Sequence, residues 1–293
     1  MLTIESVSKR FGERQVLDDV GFTVSDGRLT GFVGGNGAGK TTTMRILLGV
    51  LRADAGTVSI DGQRIGADDR RRFGYMPEER GLYPKMKVAE QVAYLARLRG
   101  MAKAAANAST DRLLDRLGIA QHANDQVESL SLGNQQRVQI AAALVHGPEV
   151  LILDEPFSGL DPIAVESVLG VLQEQAANGV PVLFSSHQLE LVERLCDDLV
   201  VIAEGRIRAA GSQDELRRAA GPQAWELLTA DDVGWIREVD GVRVVEFDGG
   251  FAAFEADDAT AQTVLQRAVQ SGTVASFGPR IPSLTEVFKE VVR

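Results

Sequence analysis

The chain has 293 residues, 44% of them hydrophobic, with a net charge of −10 and one cysteine. At about 150 residues per domain, that length predicts two domains, and the hydrophobic share suffices for a sizeable core. The acidic balance argues against a nucleic-acid surface. The lone Cys196 excludes an internal disulfide and fits a reducing compartment. No apolar run reaches the ~18 residues of a membrane span, and residues 1–13 lack the apolar core of a signal peptide. A cytoplasmic chain is therefore expected, with any membrane role supplied by a partner.

In chain order, residues 2–7 alternate apolar and polar as a half-buried strand does. Phe11 follows, as core packing or as a platform for a nucleobase. Residues 15–24 give a second strand, with a turn at Asp26-Gly27. The apolar run Leu29 to Val33 suits a buried strand and leads into Gly34-Gly35-Asn36-Gly37-Ala38-Gly39-Lys40-Thr41-Thr42. This is the G-x-x-x-x-G-K-T phosphate-binding loop. Its glycines let backbone N–H groups approach phosphate oxygens. The helix predicted over 42–51 adds the partial positive charge of its N-terminus. Lys40 is placed to reach β- and γ-phosphates, and the Thr41 hydroxyl to ligate Mg²⁺.

Beyond this loop, Gly56–Ile60 and Phe73–Met76 read as strands. The second runs into a loop with two carboxylates, Glu78 and Glu79. A helix is predicted over 88–98, and another capped by Ser109 and ended by Gly118. Leu130 to Arg137 opens a further helix through Val145. Val150–Leu153 is a buried parallel strand that delivers Asp154 and Glu155 at its C-terminal end, where ligands bind in open α/β sheets. Asp154 suits Mg²⁺, and Glu155 suits polarising an attacking water. Asp161-Pro162 opens a helix that stops near Gly179. The strand Val182–Phe184 ends at Ser185-Ser186-His187, which places an imidazole beside the other strand-end groups. His122 and His146 lack such a setting and read as surface residues. Strands at 199–203 and 206–210 are expected to join the opening strands in an added antiparallel sheet. Together the elements define an α/β fold with a largely parallel core sheet.

Gly221-Pro222 marks a boundary. The order beyond it is strand 224–229, helix 230–238, strands 242–247 and 250–255, helix 258–270 and strand 273–278, that of a ferredoxin-like unit. A capping box at Ser283 to Glu286 opens a last helix. Trp225 and Trp235 read as core. The unit has no catalytic cluster and reads as a packing or dimer-supporting appendage, with a ligand sensor as the alternative.

The ordered motifs resemble the ATP-binding subunits of ABC transporters over residues 1–220. Lys40 and its loop match Walker A, residues 151–155 match Walker B, and residues 158–161 match the D-loop. His187 matches the switch histidine, residues 130–136 the signature, and Phe11 the aromatic that stacks on adenine. The resemblance implies a P-loop ABC-ATPase fold with an antiparallel β subdomain, a helical subdomain over about 85–147, and an accessory α+β domain over 222–293. It implies catalytic roles for Glu155, His187 and Lys40, and a metal held by Thr41, Asp154 and Glu78. It implies nucleotide contacts from Phe11, residues 34–42, Ser131, Gly133 and Asp161. Because the signature of one subunit completes the site of another, it implies a head-to-tail dimer with a second copy or a relative. It also implies integral-membrane permease subunits as partners, at the inner face of the membrane. The run 77–83 resembles exporters of sodium or drugs. The alternative is an ABC ATPase that regulates or assembles without a permease. The sequence departs from the family at Gly35, where proline is common. It departs again at Leu132 and Asn134 within the signature, and at Glu78, where glutamine is usual.

Overall fold

The computed structural model describes residues 1–79, 81–219, 224–280 and 286. The chain forms two compact units, Met1–Gln213 and a second beginning at Asp214.

The first unit opens with β1 (Leu2–Phe11) and β2 (Arg14–Val24), an antiparallel hairpin. Then come β3 (Leu29–Val33), α1 (Lys40–Leu47), β4 (Ala55–Ile60), β5 (Gln63–Arg64) and β6 (Phe73–Met76). Three helices follow without an intervening strand: α2 (Val88–Leu98), α3 (Lys103–Arg116) and α4 (Leu132–Leu144). The chain returns to the sheet with β7 (Val150–Leu153), α5 (Pro162–Ala177), β8 (Val182–Ser186), α6 (Leu189–Leu195), β9 (Asp198–Ala203) and β10 (Arg206–Ser212).

A four-stranded antiparallel sheet has the order β2-β1-β4-β5, and a six-stranded sheet the order β10-β9-β3-β8-β7-β6. In the larger sheet all pairs except β9–β10 are parallel. Strands β3, β7, β8 and β9 are buried on both faces, which explains their largely apolar sequences, while the edge strand β10 is partly exposed. A core containing Leu2, Leu17, Phe32, Met44 and Ile202 joins the two sheets and α1. Each such side chain, fully buried, contributes about 1.5–3 kcal/mol.

Several expectations are corrected. The 199–210 hairpin is not part of the antiparallel sheet. Its first strand pairs in parallel with β3, so the hairpin closes the edge of the core sheet. The helix after the phosphate loop stops at Leu47, because Gly49 takes φ +69° just beyond Leu48 and ends it in a left-handed turn. Ser109 caps nothing. The alanine-rich stretch from Lys103 already favours helix, so Ser109 falls inside α3, where its hydroxyl donates to the Val145 carbonyl at 2.9 Å.

The second unit begins at the second residue of α7 (Gln213–Ala219) and contains β11 (Ala224–Thr229), β12 (Arg243–Asp248), β13 (Phe251–Glu255), α8 (Asp258–Ser271) and β14 (Val274–Pro279). Its antiparallel sheet runs β12-β13-β11-β14, the strand order of a ferredoxin-like unit. The helix expected over 230–238 is only a 3-10 turn at Gly234–Glu238. The Asp232 side chain accepts the Gly234 N–H at 2.6 Å and holds the preceding residues in a turn. Trp225 and Trp235 pack with Leu227, Ile236 and Phe254 in a core of the unit's own. Of the helix expected from Ser283, only Glu286 is among the described residues, and it is helical.

Candidate functional site

The parallel strands set the site. β8 lies between β3 and β7, with Val33 in register with Ser186 and Leu153 with Phe184. Their C-terminal ends therefore deliver the phosphate loop, His187 and the Asp154-Glu155 pair side by side. These groups line one cleft of about 690 Å³, together with Phe11, Arg14 and Glu78. The expected residues from Asn36 to Thr42 all reach it.

The loop geometry follows from close packing. A Cβ on Gly34 would lie 2.3 Å from the Ile202 carbonyl oxygen, so only glycine fits against β9. Gly39 has φ +115°, a left-handed conformation from which α1 starts. At Gly35 a Cβ would meet nothing, so the departure from proline there is sterically free. The Lys40 ammonium donates to the carbonyls of Gly34 at 2.7 Å and Gly35 at 3.2 Å, which folds the lysine over the loop. The N-terminal N–H groups of α1 lack intrahelical partners and form an anion cradle.

Asp154 is 2% exposed. One carboxylate oxygen accepts from Ser185 Oγ at 2.5 Å, and the other faces Thr41 Oγ1 at 3.3 Å. No ion pair to a described residue neutralises it. A buried carboxylate without a cation is costly, and its field is felt nearby. The Tyr75 hydroxyl is pushed above its ordinary pKa by burial first, then by Asp154, with Glu78 adding to the effect. A hydroxyl beside a buried carboxylate is a hard-oxygen donor set, which suits Mg²⁺. Among the described residues no three His, Cys, Asp or Glu side chains gather as a metal cluster, and Glu78 is exposed on the cleft wall.

Glu155 has φ +53°, rare for a residue with a side chain. Its N–H donates to Ser185 Oγ at 2.9 Å, and its carbonyl accepts from Gln136 Nε2 at 2.9 Å. Held at both ends, it presents its carboxylate to His187, with Nδ1 to Oε1 at 2.9 Å. Phe11 is 50% exposed and not core, and the Lys9 ammonium lies 5.5 Å from its ring centre. Ser131 and Asp161 cap α4 and α5, accepting from Asn134 N at 3.3 Å and Ala164 N at 2.8 Å. Neither they nor Gly133 line the cleft. Gly133 instead stands against the Gly159 carbonyl.

Sequence reasoning missed Ser185 and Gln136, which fix Asp154 and Glu155. The readable signal for Ser185 was a hydroxyl two residues before the strand-end histidine. It also placed His122 and His146 on the surface, and both are half-buried with defined partners.

A glycine-rich loop at a strand–helix junction after β3, with the carboxylate pair at the end of β7 lining the same cleft, defines a P-loop nucleoside triphosphatase. A family model described as ABC transporter matches residues 17–158, and one described as ATP-binding protein DrrA1-3-like, C-terminal domain, matches residues 211–292. The chain is 39% identical over 293 residues to the uncharacterized ABC transporter ATP-binding protein YhaQ of Bacillus subtilis, covering 100% of this chain and 98% of the relative. It is 40% identical over 218 residues to the Nod factor export ATP-binding protein I of Burkholderia lata, covering 73% and 72%. It is 31% identical over 236 residues to the linearmycin resistance ATP-binding protein LnrL of Bacillus subtilis, covering 80% and 76%. A solved ATP binding subunit of an ABC transporter superposes with a TM-score of 0.69 at 34% identity, covering 75% of this chain and 92% of that one. The chain belongs to the family of ABC transporter ATP-binding proteins. It binds ATP and is an ATPase subunit of that family. Among the described residues no helix is long and apolar enough to cross a membrane.

Proposed function

We propose that this chain hydrolyses ATP to energise a separate integral-membrane permease that exports sodium ions, drugs or another small solute from the cytoplasmic side. The export reading draws on the names of the linearmycin-resistance and Nod-factor-export relatives. The observation that carries the catalytic reading is the Glu155–His187 contact at 2.9 Å on strand ends beside the phosphate loop.

In this reading Phe11 stacks on adenine, and the backbone N–H groups of residues 34–42 hold the triphosphate. Lys40 exchanges its carbonyl partners for β- and γ-phosphate oxygens. Thr41 and Asp154 hold Mg²⁺, with Glu78 approaching when ATP and the permease close the site. Mg²⁺ held there would supply positive charge against the charge of the triphosphate. Glu155 accepts the proton of the attacking water, and His187 holds its carboxylate in place. Ser131 and Gly133 complete the site of a second subunit, with Asp161 beside them. Leu132 and Ile163, 58% and 82% exposed, flank this turn and the D-loop and offer apolar surface for such a contact.

With Glu155→Gln, ATP should bind and stay, and the chain should pass from monomer to dimer on size-exclusion with ATP. Lys40→Ala should weaken ATP binding itself. A Glu155→Gln chain that remains monomeric at saturating ATP contradicts the head-to-tail reading.

A further inference from the structure

The signature departs from its family at Asn134, and the structure gives that residue partners of its own. Arg137 Nη2 donates to Asn134 Oδ1, and Asn134 Nδ2 lies 3.1 Å from His122 Nε2. His122 Nδ1 lies 2.7 Å from Asp125 Oδ2. The donor chemistry leaves one arrangement. A guanidinium only donates, so it takes the amide oxygen of Asn134. The amide nitrogen must then donate to Nε2, which has to be bare. The ring proton therefore sits on Nδ1 and is given to the Asp125 carboxylate. Every link points the same way, from Arg137 to Asp125.

This relay fixes a particular turn. Asn134 N–H is the donor that Ser131 Oγ accepts at the start of α4. Arg137 Nη1 reaches the Leu117 carbonyl at 3.0 Å, at the end of α3. The Asp125 carbonyl accepts Val88 N–H at 3.1 Å, at the start of α2. The side chains of His122 and Asp125 are 29% and 48% exposed, so each link is of ordinary strength. The three helices are thereby tied to the residue that follows Gly133.

We propose that His122 and Asn134 are positioning residues for the signature turn, holding Ser131 and Gly133 in the arrangement that a second subunit's nucleotide meets. The proposal rests on the head-to-tail reading above. Neither residue lines the ATP cleft of its own chain, so own-site ATP binding is left alone and the subunit contact is affected.

The test is made in the full-length Glu155→Gln chain. Sedimentation measures the ATP-dependent dimerisation constant, and calorimetry measures ATP affinity at concentrations where the chain is monomeric. His122→Ala and Asn134→Ala should each weaken dimerisation roughly 3–10-fold while leaving monomer affinity for ATP unchanged. Because the two act through one link, the double variant should lose no more than the worse single one. His122→Gln can accept from Asn134 and donate to Asp125, so it should restore dimerisation. The inference is overturned if the single variants dimerise like the parent, if the losses add, or if His122→Gln is as weak as His122→Ala. It is also overturned if monomer ATP affinity falls in step with dimerisation. A parent that fails to dimerise with ATP overturns the head-to-tail reading itself, and this inference with it. Failure in the variants alone overturns only the inference.

Discussion

Ser185 shows how much of the site rests on one hydroxyl. It donates to Asp154 and accepts the Glu155 N–H, so it fixes the buried carboxylate and holds the next residue at positive φ. A non-glycine residue in that region costs about 1–3 kcal/mol and persists only where its surroundings hold it there. Ser185→Ala removes both bonds and leaves a buried charged acceptor short of a donor. We expect a loss of about 1.5–3 kcal/mol in urea unfolding, and a fall in turnover that exceeds the change in ATP affinity. Unchanged stability would show that the hydroxyl does not hold the pair. The loop from Asn36 to Thr42 and the strand-end Asp154, Glu155 and His187, which line the cleft, were legible because such groups stand in particular residue types at fixed spacing. Ser185 and Gln136 were not. A serine on a buried strand and a glutamine on a helix have many uses, and only the parallel register of β7 and β8 brings the hydroxyl to Asp154.

The buried strands and their ends could be read directly, because sheet burial on both faces writes an unbroken apolar run. Strands 29–33, 73–76 and 150–153 fall where the sequence puts them. Partnerships between elements were harder. The pairing of β9 with β3 is a choice among strands of equal apolar character. The misread setting of His146 came from the same source. It follows the end of α4, and its Nε2 lies 3.3 Å from the Phe73 carbonyl of β6. A carbonyl only accepts, so Nε2 carries the proton and Nδ1 is left buried without a partner. Burial above all, and then the Arg99 charge, hold its pKa below the ordinary 6.5, with the Phe73 contact opposing. The folded state thus refuses a proton that the unfolded chain takes up, and stability rises with pH across that window. The contribution is complete above about pH 6.5 and is lost as pH falls from there towards the folded value. Thermal unfolding from pH 7.5 to 5.5 should show a steeper loss for the natural chain than for His146→Gln. Parallel curves would mean that His146 does not link α4 to β6 in this way.

At the scale of the whole molecule, the division into two compact units separates nucleotide chemistry from the ferredoxin-like sheet. All the cleft residues precede the second unit. That unit has a core of its own, built on Trp225, Leu227, Phe254 and Val264. A chain ending at Gly221 should therefore fold and bind ATP with near-natural affinity, while dimer affinity or permease coupling falls. A folded truncation that cannot bind nucleotide would give the second unit a part in the site.

Glu155 is the proposed activator of water, in a site assembled from the ends of β3, β7 and β8. The most direct measurement is steady-state ATP turnover of the Glu155→Gln chain beside the natural one, with ATP binding measured on the same samples. The account predicts a loss of roughly 10²–10⁴-fold in turnover, or about 3–5.5 kcal/mol of barrier, with ATP binding intact. Turnover at the natural rate with ATP bound would contradict it.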